Sequence, residues 1–388
     1  MRPREEIPLG LYLHVPFCSS TCDFCAFYQE KPSKKGRELY FQALEAELSS
    51  LSDPRLIRTV FVGGGTPGLL NVREMKRLGD LVRKVGLASE YEWTVEIAPA
   101  EISFAKLECL AEIGVNRISL GVQTFDDSLM DALGRKHSPD KACSAYDMIR
   151  ETGFDSVNLD LIFGIPGQSL AQWENDLKKA VSLSPDHLST YCLTFEENTA
   201  LFVQLSKGQV SRDPEREASF YERAWEFLPP EGFGQYEISN YSLPAKQCLH
   251  NLNTWRMHEW IGCGPSACSQ FQGLRRRNFS NLEQWSSTWL EDRPIEYEES
   301  EALNSFDLAR GAILFGLRMN DGICLAEIAR SFGLETIEFQ PVLVFLNRLE
   351  REGLGHWQTD WFSLTPRGRI LADAIALEIP ELAVSLAG

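Results

Sequence analysis

The sequence predicts an α/β fold: a partial (β/α)6 barrel followed by a small C-terminal helical, winged-helix-like domain. Three observations point there. From residue 10 to about 195, strand-like segments alternate with helical patterns, the signature of a parallel sheet with crossover helices outside it. Residues 303–388 read as helices followed by a hairpin. A chain of 388 residues has room for one large domain and one small one.

In chain order, the expected strands are Gly10–Val15, Thr59–Val62, Trp93–Ile97, Arg117–Val122, Ser156–Phe163 and Leu188–Leu193. Between the first two, Tyr40, Leu44, Leu48 and Leu51 recur at helical spacing. Six such units make an open barrel whose ligand site lies at the C-terminal ends of the strands. This core spans residues 1–200, and a less regular extension covers 201–290, with one helix at Arg216–Leu228. The acidic run Glu291–Glu301, containing Pro294, reads as a solvated connector. Helices are then expected at Phe306–Leu317, Leu325–Phe332 and Phe339–Arg351, with a hairpin at His356–Leu364 and a last helix from Arg367.

The hydrophobic fraction of 44% and charged fraction of 24% are those of a soluble globular protein. No run approaches the 18 apolar residues of a membrane span, and the N-terminus MRPREEIPL shows no secretion signal, so a cytoplasmic location is expected. A net charge of −17 argues against nucleic acid as a partner, because phosphates need a basic face. Ten cysteines in such a chain do not imply a disulfide framework. Cys109, Cys143, Cys192 and Cys324 are scattered among apolar neighbours and read as packing residues.

Cys18, Cys22 and Cys25 differ. They fall within eight residues of YLHVPFCSSTCDFCAF (Tyr12–Phe27), directly after the first strand. A loop there can wrap three thiolates around a cubane [4Fe–4S] cluster and leave the fourth iron open to a small molecule. S-adenosylmethionine can chelate that iron through its amino and carboxylate groups, and an electron from the cluster then cleaves its sulfonium. Zinc, with His14 as a fourth ligand, is the alternative. Gly63-Gly64-Gly65 follows the second strand and can bring backbone amides close to a ligand. Glu96 ends the third strand, Gln123 closes the fourth, Arg135 follows in LGRKH, and Asp160 sits within an apolar strand where a carboxylate needs a partner.

The triplet resembles the radical-SAM signature CxxxCxxC. The flanking HVPFC resembles the relatives of oxygen-independent coproporphyrinogen III dehydrogenase, the HemN group, and the likeness extends from residue 10 to about 370. Dehydrogenases of that group carry another cysteine two residues after the triplet. Phe27 stands there, as in the HemW branch of haem chaperones. The resemblance implies that Tyr12, Phe24, Gly64, Gly65, Thr66, Glu96, Gln123, Arg135 and Asp160 contact S-adenosylmethionine. Tyr12, Gly64 and Glu96 would serve a cluster-bound molecule and the others a second one.

Residues 236–269, YEISNYSLPAKQCLHNLNTWRMHEWIGCGPSACS, also resemble the HemW branch through YEISNY and CxHNxxxW. His250 is then the expected haem ligand, Trp255 and Trp260 could stack on the macrocycle, and Arg275, Arg276 and Arg277 could pair with its propionates. Thr254, Cys268 and Ala26 depart from the branch's pattern, and Cys248 and Cys268 are further candidate ligands. The expected function is that of a haem chaperone passing haem to acceptor proteins. The alternative is coproporphyrinogen III dehydrogenation or another radical-SAM reaction on a tetrapyrrole.

Overall fold

The computed structural model describes residues 8–135 and 138–383. Twelve of its fourteen strands form one sheet: β1 (Leu9–Val15), β2 (Ile57–Gly64), β3 (Leu87–Ile97), β4 (Arg117–Gln123), β5 (Ser156–Phe163), β6 (His187–Cys192), β7 (Gly234–Gln235), β8 (Asn240–Ser242), β9 (Trp260–Cys263), β10 (Cys268–Phe271), β11 (Leu274–Arg277) and β12 (Glu299–Ala302). Their order is β12-β11-β10-β9-β1-β2-β3-β4-β5-β6-β8-β7, an open sheet whose central six strands are parallel. The six expected strands are all present, and the sheet is not closed, as a partial barrel requires.

Strand sequence fixes which face points where. In β1, Leu9, Leu11, Leu13 and Val15 pack into the main apolar core beneath the outer helices. Gly10, Tyr12 and His14 alternate with them and face the barrel interior. Trp93, Val95 and Ile97 in β3, and Val157, Leu159, Leu161 and Phe163 in β5, repeat the outward pattern. Glu92, Thr94 and Glu96, and Asn158 and Asp160, hold the inward positions. The crossover helices start where capping side chains stop the strand-to-helix loop: Ser33 accepts from the Gly36 amide before Lys34–Ser49, and Asn71 with Glu74 forms a capping box before Val72–Val85.

The segment that read as irregular extends the sheet on both sides. After β6 the chain makes the short antiparallel pair β7–β8, and later returns to lay β9 parallel to β1 and continue as the β10–β11 meander. The acidic run does not stay a solvated connector to its end. Its last residues form β12, pairing Glu299 with Arg277 and Glu301 with Arg275.

One buried carboxylate fastens this extension to the barrel. Glu47, 3% exposed on the first helix, accepts from the Gly264 amide and from Asn278 Nδ2, each at 2.7 Å. The C-terminal domain has its own core, built from the helices Ser305–Gly316, Leu325–Phe332 and Gln340–Arg351 and the hairpin β13 (Gly355–Gln358) and β14 (Trp361–Leu364). It docks on the barrel: Ile238 enters its core, Asn320 donates to the Gln235 carbonyl at 2.8 Å, and Arg369 lies 4.8 Å over the Trp225 ring.

Glu47→Ala orphans the Gly264 amide inside the core, so urea unfolding should show a loss of about 2–3 kcal/mol, whereas a neighbouring exposed change such as Glu45→Ala should cost well under 1 kcal/mol.

Candidate functional site

The cysteine loop begins where β1 ends and is held from three sides. Glu30 N–H donates to the Pro16 carbonyl and Cys18 N–H to that of Glu30, at 2.6 and 3.0 Å. Asp23 N–H reaches the Leu133 carbonyl at 3.2 Å, and Leu201 N–H donates to the Asp23 carbonyl at 2.9 Å. Cys18 Sγ lies 3.3 Å from Thr66 Oγ1, which joins the loop to the glycine turn after β2. Phe27, just beyond the triplet, is 66% exposed.

Burial raises the Cys18 and Cys25 thiols, the nearby Cys22 raises both further, and Arg135 pulls both back. Three cysteine thiols carried by one loop are the donor set of a cubane cluster with one open iron, whereas a structural zinc ion takes a fourth protein ligand. His14 is also committed elsewhere: Nε2–H donates to the Tyr28 carbonyl and Nδ1 accepts from the Tyr12 hydroxyl, each at 3.2 Å. This removes the fourth ligand that zinc would need.

Behind the loop the glycine turn is packed to contact. A Cβ on Gly63 would stand 2.7 Å from Glu96 Oε2, one on Gly65 would stand 2.7 Å from the Phe17 carbonyl, and Gly64 sits at φ +102°. Only glycines bring this backbone so near both Glu96 and the start of the cysteine loop. Burial pushes the Glu96 carboxyl up to about 8, the Asp160 charge adds to this, and the Gly64 amide opposes it. Asp160 Oδ2 accepts from Ser119 Oγ at 2.9 Å and Oδ1 from Asn158 Nδ2 at 2.8 Å. Burial nonetheless raises Asp160. Gln123 is buried at φ +70°. Arg135 lies 5.6 Å over the Phe24 ring, with its Nε buried and unpartnered. Two half-buried acids and an unpartnered guanidinium nitrogen around a glycine turn suit a zwitterionic cation such as S-adenosylmethionine.

Tyr12, Phe24, Gly64, Gly65, Thr66, Glu96, Gln123, Arg135 and Asp160 thus gather with the three cysteines at the C-terminal ends of β1–β5 and in the loops that follow. Tyr191 belongs with them. It is 40% exposed, in the alternation His187, Ser189, Tyr191 along β6, and within electrostatic reach of Asp160 and Glu96. That alternation was the available signal, masked by the polar residues flanking it.

His250 is at the other end. The register pairs Gly10 with Thr59 and Thr59 with Glu92, near the strand starts, and the helix Leu249–Trp255 closes the barrel there. Glu92 accepts from the Leu249 and His250 amides, both at 3.0 Å, and from Cys248 Sγ at 3.6 Å. His250 Nδ1 is 3.0 Å from Thr59 Oγ1, and its ring centroid is 5.2 Å from that of Phe61. At 8% exposure the imidazole offers no open face to a macrocycle. The expected haem ligand lies on the floor of the barrel, and Cys248, fully buried, shares that place.

The arginine triplet is likewise engaged. Arg275 donates to Gln270 Oε1 at 2.7 Å, Arg276 stacks 4.7 Å over Tyr297, and Arg277 pairs with Glu299 at 2.5 Å. Trp255 packs edge-on against Phe315, and Trp260 Nε1–H donates to the Cys268 carbonyl at 2.9 Å. Of the candidate haem contacts, Cys268 and Arg275 are exposed.

Comparison with known proteins agrees with this geometry. Residues 12–180 match the model of the Radical SAM superfamily and residues 303–371 that of the HemN C-terminal domain. The chain is 32% identical over 371 residues to "Heme chaperone HemW" of Bacillus subtilis, covering 94% of this chain and 97% of that protein. It is 33% identical to the protein of the same name from Mycobacterium tuberculosis strain H37Rv, covering 97% and 95%. Coproporphyrinogen III oxidase (HemN) from Escherichia coli superposes with a TM-score of 0.82 at 25% identity, over 96% of this chain and 90% of that one.

Burial holds the His14 and His250 imidazoles down to about 4, so both are neutral across the physiological range. In a histidine-labelled NMR titration their ring resonances should stay flat from pH 8 to pH 5.

Proposed function

The chain belongs to the HemW family of radical SAM proteins, and from that membership we propose that it binds haem and transfers it to acceptor proteins in the cytoplasm. The observation that carries this reading is the match to "Heme chaperone HemW" over 97% of that protein's length, which takes in the cysteine loop, the floor helix and the C-terminal domain together. The exposed Phe27 fits it as well, since no further thiol stands at that position of the loop. No helix among the described residues is long and apolar enough to cross a membrane.

In this reading Cys18, Cys22 and Cys25 hold a [4Fe–4S] cluster. When bound, the cluster supplies an open iron for S-adenosylmethionine and the electron that cleaves its sulfonium. The Gly63–Gly65 turn offers amides to the ligand's carboxylate, and Glu96 its charge to the ammonium. Arg135 and Phe24 close the side nearest the cysteines. Gln123 and Asp160 line the floor of this pocket, and Tyr12 is oriented by its bond to His14. Haem bound at the mouth would meet the exposed rim of Phe27 and Tyr191, not His250.

The second reading is catalysis on coproporphyrinogen III, favoured by the 0.82 TM-score with the Escherichia coli oxidase. An anaerobic assay of reconstituted protein with S-adenosylmethionine, reductant and coproporphyrinogen III separates the two. The expected result is intact cluster, close to one haem bound per chain on titration, and no protoporphyrinogen. Product at the rate of a dehydrogenase control would replace the chaperone reading with the enzymatic one.

S-Adenosylmethionine affinity should also depend on pH. A cationic ligand favours the charged form of Glu96, whose carboxyl sits at about 8, so binding expels its proton. Equilibrium dialysis should show tighter binding as pH rises from 6.5 to 8, approaching about tenfold per unit at the acid end. Glu96→Gln should bind more weakly at pH 8 and lose most of that slope.

A further inference from the structure

Between floor and mouth a single directed run of hydrogen bonds crosses the barrel core. The Cys248 amide donates to Tyr236 Oη at 3.4 Å, and Tyr236 Oη lies 2.8 Å from His187 Nε2. His187 Nδ1 lies 2.6 Å from Asn158 Oδ1. Asn158 Nδ2–H donates to Asp160 Oδ1 at 2.8 Å and to Ser119 Oγ at 2.7 Å, and Ser119 donates to Asp160 Oδ2 at 2.9 Å. Ser189 Oγ–H also reaches Asn158 Oδ1, at 3.2 Å.

The acceptors dictate the direction of every link. Asp160 needs donors on both oxygens, so Asn158 must turn its amide nitrogen towards it and its oxygen towards His187. His187 then carries its proton on Nδ1 and accepts from the Tyr236 hydroxyl through Nε2. Asn158 and His187 are 1% and 0% exposed, so no water can replace a lost partner. Burial first, and the Arg117 charge second, hold His187 far below its ordinary titration range, which keeps the ring neutral with a single proton to place.

We infer that His187 is a positioning residue for Asp160: it fixes the carboxylate through Asn158 and ties it, through Tyr236, to the segment that seals the barrel floor. The inference rests on the reading that Asp160 contacts S-adenosylmethionine. Grip on that ligand then depends on residues that never touch it. Asn158 without His187 can flip its amide, and the carboxylate would lose a donor and face an oxygen. Loss of the Tyr236 hydroxyl would free His187 to take the other tautomer, which aims a lone pair at Asn158 Oδ1.

The test is equilibrium dialysis of S-adenosylmethionine with the full chain, reconstituted anaerobically, with iron content and melting temperature read on the same samples. Asp160→Asn, His187→Leu and Tyr236→Phe should each keep their iron and weaken binding about five- to tenfold. Adding His187→Leu to Asp160→Asn should weaken it no further, because both act through one carboxylate. His187→Asn, whose amide can still donate towards Asn158, should recover part of the loss. An Asp160→Asn protein that binds as the wild type would remove the reading of Asp160 itself. A weakened Asp160→Asn beside wild-type affinity in Tyr236→Phe and His187→Leu would overturn the positioning role alone. So would additive losses in the double variant, which denote a general structural effect. Tyr236→Phe deletes one hydroxyl and keeps the test open if His187→Leu does not fold.

Discussion

Pairing of polar groups inside a half-open barrel is the constraint on which the rest of this structure depends. The inward face of the six parallel strands carries Tyr12, His14, Thr59, Glu92, Glu96, Arg117, Ser119, Asn158, Asp160, His187 and Ser189, and water reaches few of them. Each unpaired donor or acceptor at such depth costs about 1–3 kcal/mol. The floor helix answers part of this demand. Its first amides neutralise Glu92, and Arg117 adds a buried positive charge: burial weakens that charge, while Cys248, Glu92, Tyr236 and Asp160 more than restore it. The floor is therefore a product of the barrel's chemistry and not an accessory laid beneath it.

At the mouth the same demand is left incomplete. Glu96 and Asp160 repel one another, and Arg135 keeps its Nε unpartnered. A ligand that brings both a positive and a negative group completes what the strands leave open. The two ends of one barrel thus differ in how their carboxylates are met: Glu92 is satisfied by the amides of the floor helix, whereas Glu96 and Asp160 repel one another at the mouth.

The central strands were legible because their two faces differ. Parallel strands buried on both sides read as continuous apolar runs, but LGLYLHV and SVNLDLIF alternate, since one face packs on helices and the other lines a polar interior. Their ends were readable to within a few residues, except that β3 starts earlier, at Leu87. The cysteine loop was legible from spacing alone. Strands β7 to β12 were not, for each has four residues or fewer, too short to show an alternation. At His250 a candidate haem ligand and a buried floor histidine leave the same local trace in the sequence. What separates them is Glu92, 158 residues away.

An open sheet has two free edges, and each is an invitation to pair with another chain. One edge here is β12, Glu-Ser-Glu-Ala, where Glu299 and Glu301 put negative charge along the exposed strand. The other is β7, only two residues long, with the Gln235 carbonyl taken by Asn320 of the C-terminal domain. The acidic run and the docked small domain therefore act to one end. Both protect the solubility of a protein whose barrel, in order to admit its ligands, was never allowed to close.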